Sequence, residues 1–561
     1  MRTKQKNRDL DAFGWTFSAI ALLISVPLSH TAINIGYDLL GTNGLSLVAA
    51  VIIVSIPLAW IAGRPNKFAP VLVFTGLASL LFDYFMEAPP YTILIGFFFA
   101  CAAATLFWKI GANSAKIIVT FCLAFIASDF LGAAPSKIEY RKAGTNTVQP
   151  LAEQIQPKPS MIHIIFDAFQ APTALPEQLA STTTQIRQFF VARGFYLHEQ
   201  AFSRYNFTTY SLATALNFKK APEQIALTDK KMRGAVQYAH TLTQNHALVS
   251  MDAKGFETYI IQTDFLDICG DFAKINPSHC LTYKFNRFPA EHLQGSSELQ
   301  RLQLLALFAA ERSFLFENIR EYANKYKADF IPDISVPFTA AALEGLRHTE
   351  AIIQRVGRPS YILSHNLLPH APFVLDGECR LQQPSKWVSG YSEKGMRPPN
   401  SDYVRYGQQL SCSLKALGNI LDTIEENPIL QDATLIIHGD HGSRLMRPAP
   451  DNAESDNPMS FHLGSSIPEQ QVIKDQYFTL FAVRHPALGP GINSRPASLD
   501  KLLTHYLACQ SGDPYQTGSD SVLYIPQEKD MWLPFDFEAM QYIQIAASLN
   551  ERPSSPYACS Q

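Results

Sequence analysis

The chain has 561 residues, of which 47% are hydrophobic and 17% are charged, and its formal net charge is -3. This length accommodates more than one structural unit. Because acidic and basic residues nearly balance, the composition gives no basic surplus and argues against a nucleic-acid-binding protein.

The N-terminal quarter contains five apolar runs, each of which predicts a membrane-crossing helix. An α-helix needs about 20 residues to cross ~30 Å of hydrocarbon. A cleaved signal peptide would explain the first run but not all five. The sequence therefore predicts a transmembrane domain of five helices over residues 1–134. The runs cover approximately 12–33, 45–62, 68–85, 91–110 and 115–134.

Basic residues occur at every second connection between these runs. The loops at 34–44 and 87–90 carry no Lys or Arg. Positively charged connections stay in the cytoplasm, so five spans leave everything after about residue 135 on the outer side. The sequence predicts a multi-pass protein of the inner (plasma) membrane whose C-terminal domain is periplasmic. The basic residues are Arg2, Lys4, Lys6, Arg8, Arg64, Lys67, Lys109 and Lys116.

A polar linker is predicted at 135–159, and residues 160–561 form the predicted outer domain. Short apolar runs there are typical of buried strands, and amphipathic stretches at 297–324 and 402–426 lie between them. This alternation predicts an α/β domain with a mostly parallel central sheet flanked by helices. Its active site is expected at the carboxyl ends of the strands. The predicted strands are 161–166, 255–263, 360–365 and 433–438.

Six of the eight cysteines lie in the C-terminal part, at 269, 280, 379, 412, 509 and 559. An even number of cysteines in an oxidising compartment favours disulfides. Cys269 and Cys280 are the predicted pair, because the loop between them is short. The pairing of the others is left open.

Acidic residues follow two of the predicted strands. Asp167 comes after 161–166, and Asp440 and His441 come after Leu435–Gly439. Carboxylates at the carboxyl edge of a sheet are suited to hold a cation. Each motif alone also has a simpler interpretation, a helix N-cap for Asp167 and a turn for Asp-His-Gly.

A cluster of hydroxyl side chains at 203–217 precedes a helix predicted to begin near Tyr210. Backbone N–H groups at a helix start attract anions, so a threonine there beside a metal could be an activated nucleophile. Thr208 is the candidate, and Thr209 is the alternative if the register shifts by one. N-capping is the simpler interpretation.

Histidines bracket a loop that leaves the third predicted strand. His365 and His370 could bind a second metal or donate a proton to a leaving group. His462 is a weaker candidate of the same kind.

Taken in order, these segments resemble the alkaline-phosphatase superfamily. The motifs are the strand ending at Asp167, Tyr-x-x-Thr208-x-x-Ser-Leu-Ala, His365-x-x-x-Pro-His370-x-Pro-Phe and Asp440-His441-Gly. The pattern is most similar to the sulfatase-like membrane branch, which includes phosphoethanolamine transferases and lipoteichoic acid synthases. The resemblance covers essentially the whole chain.

The resemblance implies roles for these residues. Asp167, Asp440 and His441 would bind one divalent metal, zinc or manganese, and Thr208 would be the nucleophile that contacts it. His370, with His365 or His462, would lie over the substrate phosphate or at a second metal. Sulfatases need a Cys/Ser-x-Pro-x-Arg context, which this segment lacks, so ordinary sulfatase activity is disfavoured.

The implied function is metal-dependent transfer of a phosphate-containing head group through a threonine. A membrane lipid would be the donor and an envelope glycan or lipid the acceptor, and the five predicted spans favour that donor. One alternative is a phosphatase, phosphodiesterase or sulfatase-like hydrolase of envelope esters. A second is a non-catalytic envelope scaffold.

Overall fold

The computed structural model describes a defined part of the chain, which divides into two compact units. The first comprises 1–137, 286–337 and 383–385, and the second 138–285, 338–382 and 386–561. Besides a few single positions between 73 and 123 and position 302, the described residues are 13–28, 42–62, 139–142, 159–219, 227–233, 236–270, 278–283, 336–383, 386–388, 400–446, 469–516, 520–526 and 532–543.

The first unit contains two described helices, α1 at 13–28 and α2 at Thr42–Ala62. No helix in the described ranges is long and apolar enough to cross a membrane. The prediction of a five-span bundle, and with it that of a multi-pass protein of the inner membrane, is therefore wrong. The runs at 68–85, 91–110 and 115–134 lie almost entirely outside the described residues.

Side-chain packing gives the physical reason for this correction. An apolar run predicts burial, and periodicity does not distinguish burial in lipid from burial against protein. Here some of the apolar side chains pack on one another, in a cluster of Ala19, Ile20, Leu23, Val26, Ala59, Ala62 and Cys122, whereas others of α2, such as Ile53 and Trp60, are exposed.

The second unit is built on a nine-stranded sheet of order β1-β9-β7-β10-β2-β11-β12-β3-β13. The sheet is mostly parallel, so the α/β part of the fold prediction is confirmed. Strands β12 and β1 are antiparallel to their neighbours. The strands are β1 Glu139–Lys142, β2 Met161–Asp167, β3 Tyr196–His198, β7 Glu257–Thr263, β9 His279–Tyr283, β10 Ser360–Pro369, β11 Thr434–Gly439, β12 Phe481–Arg484 and β13 Gly491–Asn493.

Smaller sheets and the helices complete this unit. One sheet has two strands, β4 Ala201–Phe202 and β14 Ala497–Ser498. A second has three strands, β5 Leu227–Arg233, β6 Val236–Leu242 and β8 Leu266–Asp267. A third also has three, β15 Val522–Pro526, β16 Trp532–Asp536 and β17 Gln541–Tyr542. The helices are α3 Ala180–Ala192, α4 Thr208–Ala215, α5 His246–Ala253, α6 Val336–Ile353, α7 Asn400–Glu426, α8 Gln470–Tyr477 and α9 Leu499–Leu503. Short 3-10 turns form at Pro172–Ala174 and Glu177–Leu179, and a π-helical segment at Thr504–Ala508.

The boundaries differ in places from those expected. Strand β1 lies within the predicted linker and pairs with β9. The amphipathic stretch at 402–426 is helix α7, whereas the stretch at 297–324 lies almost wholly outside the described residues.

The three central strands are β10, β2 and β11, and every residue of each is buried. Strands covered on both faces have near-continuous apolar sequences, as Met161–Phe166 does. The parallel register pairs Gly439 with Phe166 and Pro369 with Asp167, so the three strands end at one edge. Residues that follow β2, β10 and β11 therefore come close together.

A buried ion cluster ties the segment before α4 to the C-terminal part of the unit. The Arg204 guanidinium donates to Asp500 at 2.7 Å and to Asp520 at 2.6 Å, and also to the Ser498 hydroxyl and the Val522 carbonyl. Its side chain is only 3% exposed. Because Arg204 lies four residues before Thr208, these bonds fix the chain that leads into α4.

Replacing Arg204 tests this anchor. Arg204→Met is expected to lower the free energy of unfolding by about 3–5 kcal/mol, because the buried Asp500 carboxylate loses its ion-pair partner and Asp520 keeps only Lys501 and the Ser498 hydroxyl. Urea unfolding followed by tryptophan fluorescence measures the change.

Arg358→Met is the matched control. Arg358 pairs with Glu257 but is 67% exposed, so its loss should change the stability by less than about 1 kcal/mol. Similar small shifts for both variants would contradict the anchoring role of Arg204.

Candidate metal centre

Four residues singled out in the sequence meet at the carboxyl edge of the sheet. Asp167 ends β2, Asp440 and His441 follow β11, and Thr208 is the first residue of α4. The Thr208 hydroxyl oxygen lies 3.5 Å from Asp167 Oδ2 and 3.2 Å from His441 Nε2. His441 Nε2 lies 3.5 Å from Asp167 Oδ1 and 3.3 Å from Asp440 Oδ2.

Backbone hydrogen bonds orient the Asp440 carboxylate. Its Oδ1 accepts from the backbone N–H of Ala168 at 2.9 Å and from that of His441 at 2.8 Å. Ala168 has φ +62, a left-handed conformation that turns the chain directly after β2. One carboxylate oxygen is thus held by backbone, and the other faces the group formed with Asp167 and His441.

Glycine is needed in the turn after β11. A Cβ atom at Gly442 would overlap the backbone carbonyl of Asp475 in α8. The Asp475 carboxylate accepts from the Ser443 hydroxyl at 2.5 Å and from the Met446 N–H at 2.8 Å. Both of its oxygens are therefore used to hold this turn against α8.

Several buried polar atoms at this edge have no hydrogen-bond partner in the described structure. They are Asp167 Oδ1, Asp440 Oδ2 and both ring nitrogens of His365. One ligand atom from each of these three residues lies within 4.8 Å of the others. Burying unpaired carboxylate oxygens is costly, and a divalent cation would satisfy them together with an imidazole nitrogen. The donor set therefore fits a metal site.

Burial and mutual repulsion set the protonation of the carboxylates. Burial raises the pKa of Asp167 to about 7, against the opposing effects of Arg444 and the Thr208 hydrogen bond. Burial and the neighbouring Asp167 raise the pKa of Asp440 well above its usual range. In the absence of a cation both shifts favour the protonated carboxyl groups, and a bound cation would displace their protons.

The histidines of the site are held neutral. Burial is the main cause that lowers the pKa of His441, and Arg444 adds to it. Burial, with His438 nearby, lowers the pKa of His365 to about 3. Neutral imidazoles can offer a nitrogen lone pair to a metal.

The remaining residues predicted for the site are His370, Thr209 and His462. His370 directly follows β10 and makes its ring contacts with Ala371 and Arg444, at 2.6 Å and 2.8 Å. Thr209 is buried beside Thr208 in the first turn of α4. His462 lies outside the described residues.

Cys269 is bonded to Cys280, the pair named from the sequence. Cys379 is bonded to Cys412, a pair that the sequence left open. Cys509 is also disulfide-bonded, whereas Cys122 is a free buried thiol. Cys559 lies outside the described residues.

Arg444 is a site residue that the sequence reasoning missed. It is buried, and its positive charge lowers the pKa of Asp167, Asp440, His441 and His370. The signal in the sequence was its position, since Arg444 is a basic residue two positions after the Asp-His-Gly motif.

Comparison with known proteins gives matches among solved structures alone. No protein-family model matches the chain, and no curated protein does. Similar structures include a 2-O GAG sulfatase, 10% identical over 66% of this chain and 79% of that one, with a TM-score of 0.39. The phosphonate monoester hydrolase of Agrobacterium radiobacter is 12% identical over 66% and 80%, with a TM-score of 0.34.

A further match is the C-terminal periplasmic domain of EcEptC from Escherichia coli, in complex with Zn. It is 11% identical over 72% of this chain and 96% of that one, with a TM-score of 0.37. A member of the alkaline phosphatase superfamily from Vibrio parahaemolyticus is 10% identical over 69% and 82%, with a TM-score of 0.36.

Metal titration tests the donor set. Asp440→Asn is expected to weaken Zn²⁺ affinity by more than the roughly 100-fold that losing a second-shell partner costs, because a direct ligand is removed. Isothermal titration calorimetry of the metal-free chain measures the affinity.

Asp475→Asn provides the comparison, since Asp475 is an equally buried carboxylate whose two oxygens are already hydrogen-bonded. Its Zn²⁺ affinity should fall by no more than the roughly 10- to 100-fold of a second-shell change. Equal losses in the two variants, or none in either, would contradict the assignment.

Proposed function

We propose that the second unit is a metal-dependent enzyme that transfers a phosphate-containing group through Thr208. One observation carries the proposal. The Thr208 hydroxyl lies 3.5 Å from Asp167 and 3.2 Å from His441, beside carboxylate oxygens that have no hydrogen-bond partner. A nucleophile within reach of a cation site at a helix start is the arrangement that such chemistry needs.

The proposed ligands of a first cation are Asp167, Asp440, His441 and Thr208. His365 lies close enough to Asp167 and Asp440 to be a further ligand. Carboxylate and imidazole ligands suit zinc and manganese alike. When bound, such a cation lowers the pKa of the threonine hydroxyl and neutralises phosphate charge.

The protein groups around Thr208 favour loss of its proton. His441 Nδ1 faces the Gly442 carbonyl at 2.8 Å and therefore carries the hydrogen, which leaves the Nε2 lone pair to bind the cation 3.2 Å from the Thr208 hydroxyl. The backbone N–H groups of the first turn of α4 favour negative charge at that position. The ionised oxygen would therefore be stabilised by the cation and by the helix start.

The proposed reaction is two displacements at phosphorus. The Thr208 oxygen forms a bond to phosphorus while the bond to the donor's alcohol oxygen breaks, and the alcohol leaves with one proton in place of the proton that Thr208 gives up. An acceptor hydroxyl then loses its proton and forms a bond to the same phosphorus, and Thr208 takes up one proton in return as its own bond to phosphorus breaks.

The residues of the site define the donor and the acceptor only by chemical class. The argument for a lipid donor depended on the five predicted spans, which are corrected above. A membrane lipid as donor and an envelope glycan or lipid as acceptor remain what the resemblance implies. The residues themselves support a phosphodiester substrate, with a hydroxyl compound or water as acceptor.

Two neighbouring threonines give a direct test. Thr208→Ala should lower the rate of p-nitrophenol release from bis(p-nitrophenyl) phosphate by about 10³-fold or more, because a nucleophile is lost. The full-length chain is assayed after loading with Zn²⁺ or Mn²⁺.

Thr209→Ala is the matched control, since it removes a buried hydroxyl one residue away. Its rate should stay within a few-fold of that of the unmodified chain. The reverse order would move the nucleophile to Thr209, and unchanged rates in both variants would rule out a threonine nucleophile. A labelled phospholipid incubated with and without a glycan acceptor then separates transfer from hydrolysis.

A further inference from the structure

Arg444 occupies a constrained position at the edge of the site. It has φ +57, a conformation that non-glycine residues rarely adopt. The residues on either side are fixed, because Asp475 binds both the Ser443 hydroxyl and the Met446 N–H. A rare backbone conformation that its surroundings enforce is common where a side chain must be aimed at a site.

The Arg444 guanidinium lies beside the start of α4. Its Nη1 donates to the Asn206 carbonyl at 3.3 Å, and its central carbon lies 5.7 Å from the centre of the Phe207 ring. Asn206 and Phe207 directly precede Thr208. The same guanidinium lowers the pKa of both carboxyl groups of the site, which places its charge near Asp167 and Asp440.

His370 holds the other side of this guanidinium. Its Nδ1 faces the Ala371 carbonyl at 2.6 Å and must donate, so Nε2 is without a hydrogen and accepts from Arg444 Nη2 at 2.8 Å. Burial, with Arg444 adding to it, lowers the pKa of His370 to about 3, so the ring stays neutral. In this arrangement His370 has no proton on Nε2 to give to a leaving group.

We propose that Arg444 binds the non-bridging oxygens of the phosphoryl group during transfer, and that His370 is the positioning residue for its guanidinium. This inference rests on the function proposed above. It changes the role of His370 from that of a proton donor, which the sequence suggested, to that of an acceptor that aims Arg444.

The charge and shape of the Arg444 guanidinium support this assignment. It brings a positive charge to the edge of the site where an anionic phosphoryl group would bind. A guanidinium also presents several N–H donors in a planar fork that suits two oxygens of one phosphoryl group.

Substitution of Arg444 tests the inference. Arg444→Gln is expected to lower kcat/KM for bis(p-nitrophenyl) phosphate by about 100-fold or more, the loss seen when one donor to a developing charge is removed. It should also raise the inhibition constant of inorganic phosphate by about tenfold, since a hydrogen-bonded charge is lost. Zn²⁺ affinity, measured by calorimetry, should not fall, because removing a positive charge does not weaken cation binding.

Arg380→Gln is the control, since Arg380 is an arginine with a 61% exposed side chain that pairs with Asp376. It should leave kcat/KM and phosphate inhibition unchanged. Arg444→Lys keeps the charge and loses the fork, so it should retain an intermediate activity. Should Arg444→Gln fail to fold, as judged by thermal unfolding, Arg444→Lys and Arg444→Ala with added guanidinium chloride carry the same test.

His370 is tested through its dependence on Arg444. His370→Gln keeps a side-chain acceptor and should lose less activity than His370→Ala. The double variant of His370→Ala with Arg444→Gln should lose no more than the larger single loss, because both remove one interaction. Additive losses would overturn the positioning role of His370.

The outcomes separate this inference from the function on which it rests. If Thr208→Ala is inactive but Arg444→Gln keeps wild-type kcat/KM and phosphate inhibition, the role of Arg444 is wrong and the threonine mechanism stands. If Thr208→Ala is as active as the unmodified chain, the proposed function itself is wrong.

Discussion

Two carboxyl groups buried side by side are the constraint around which the rest of the site is organised. Asp167 and Asp440 leave adjacent parallel strands, β2 and β11, and both are buried. Desolvation and mutual repulsion each oppose their ionisation, and such a pair persists only where the surrounding structure holds it in place. A cation between the carboxylates would reverse both effects, which is why the unpaired oxygens are the most informative atoms of this domain.

The surrounding structure holds this pair with backbone bonds and fixed turns. The Asp440 carboxylate is bound by two backbone N–H groups, and the Ser211 hydroxyl donates to the Asp440 carbonyl at 2.6 Å. Ser211 also accepts from Ser203 at 2.8 Å, so helix α4 is tied to the turn that carries Asp440. Thr208 is therefore positioned by the same bonds that position the carboxylate. This coupling makes the hydroxyl and the acidic groups parts of one rigid arrangement.

Two buried arginines extend that arrangement in different ways. Arg204 pairs with Asp500 and with Asp520, which also pairs with Lys501, and this cluster anchors the segment that leads into α4. Arg444 instead donates from Nη2 to the neutral His370 ring, and its charge lowers the pKa of Asp167 and Asp440. The two arginines thus differ in what they contact: Arg204 ties two segments of the chain together, whereas Arg444 lies beside the carboxylates of the candidate metal centre.

The sequence by itself determined the strand that ends at Asp167 and the strand that precedes Asp440, because a short apolar run bounded by turn residues is typical of a buried strand. It also singled out Thr208, and the order of the motifs indicated the type of fold. It overestimated the membrane domain, because an apolar run records that side chains are buried and not what buries them. It missed Arg444, whose importance depends on a left-handed turn and on the position of His370, 74 residues away along the chain. The tertiary structure decided which polar atoms remain without partners and which histidine lone pairs are occupied, because those properties arise only when distant segments meet.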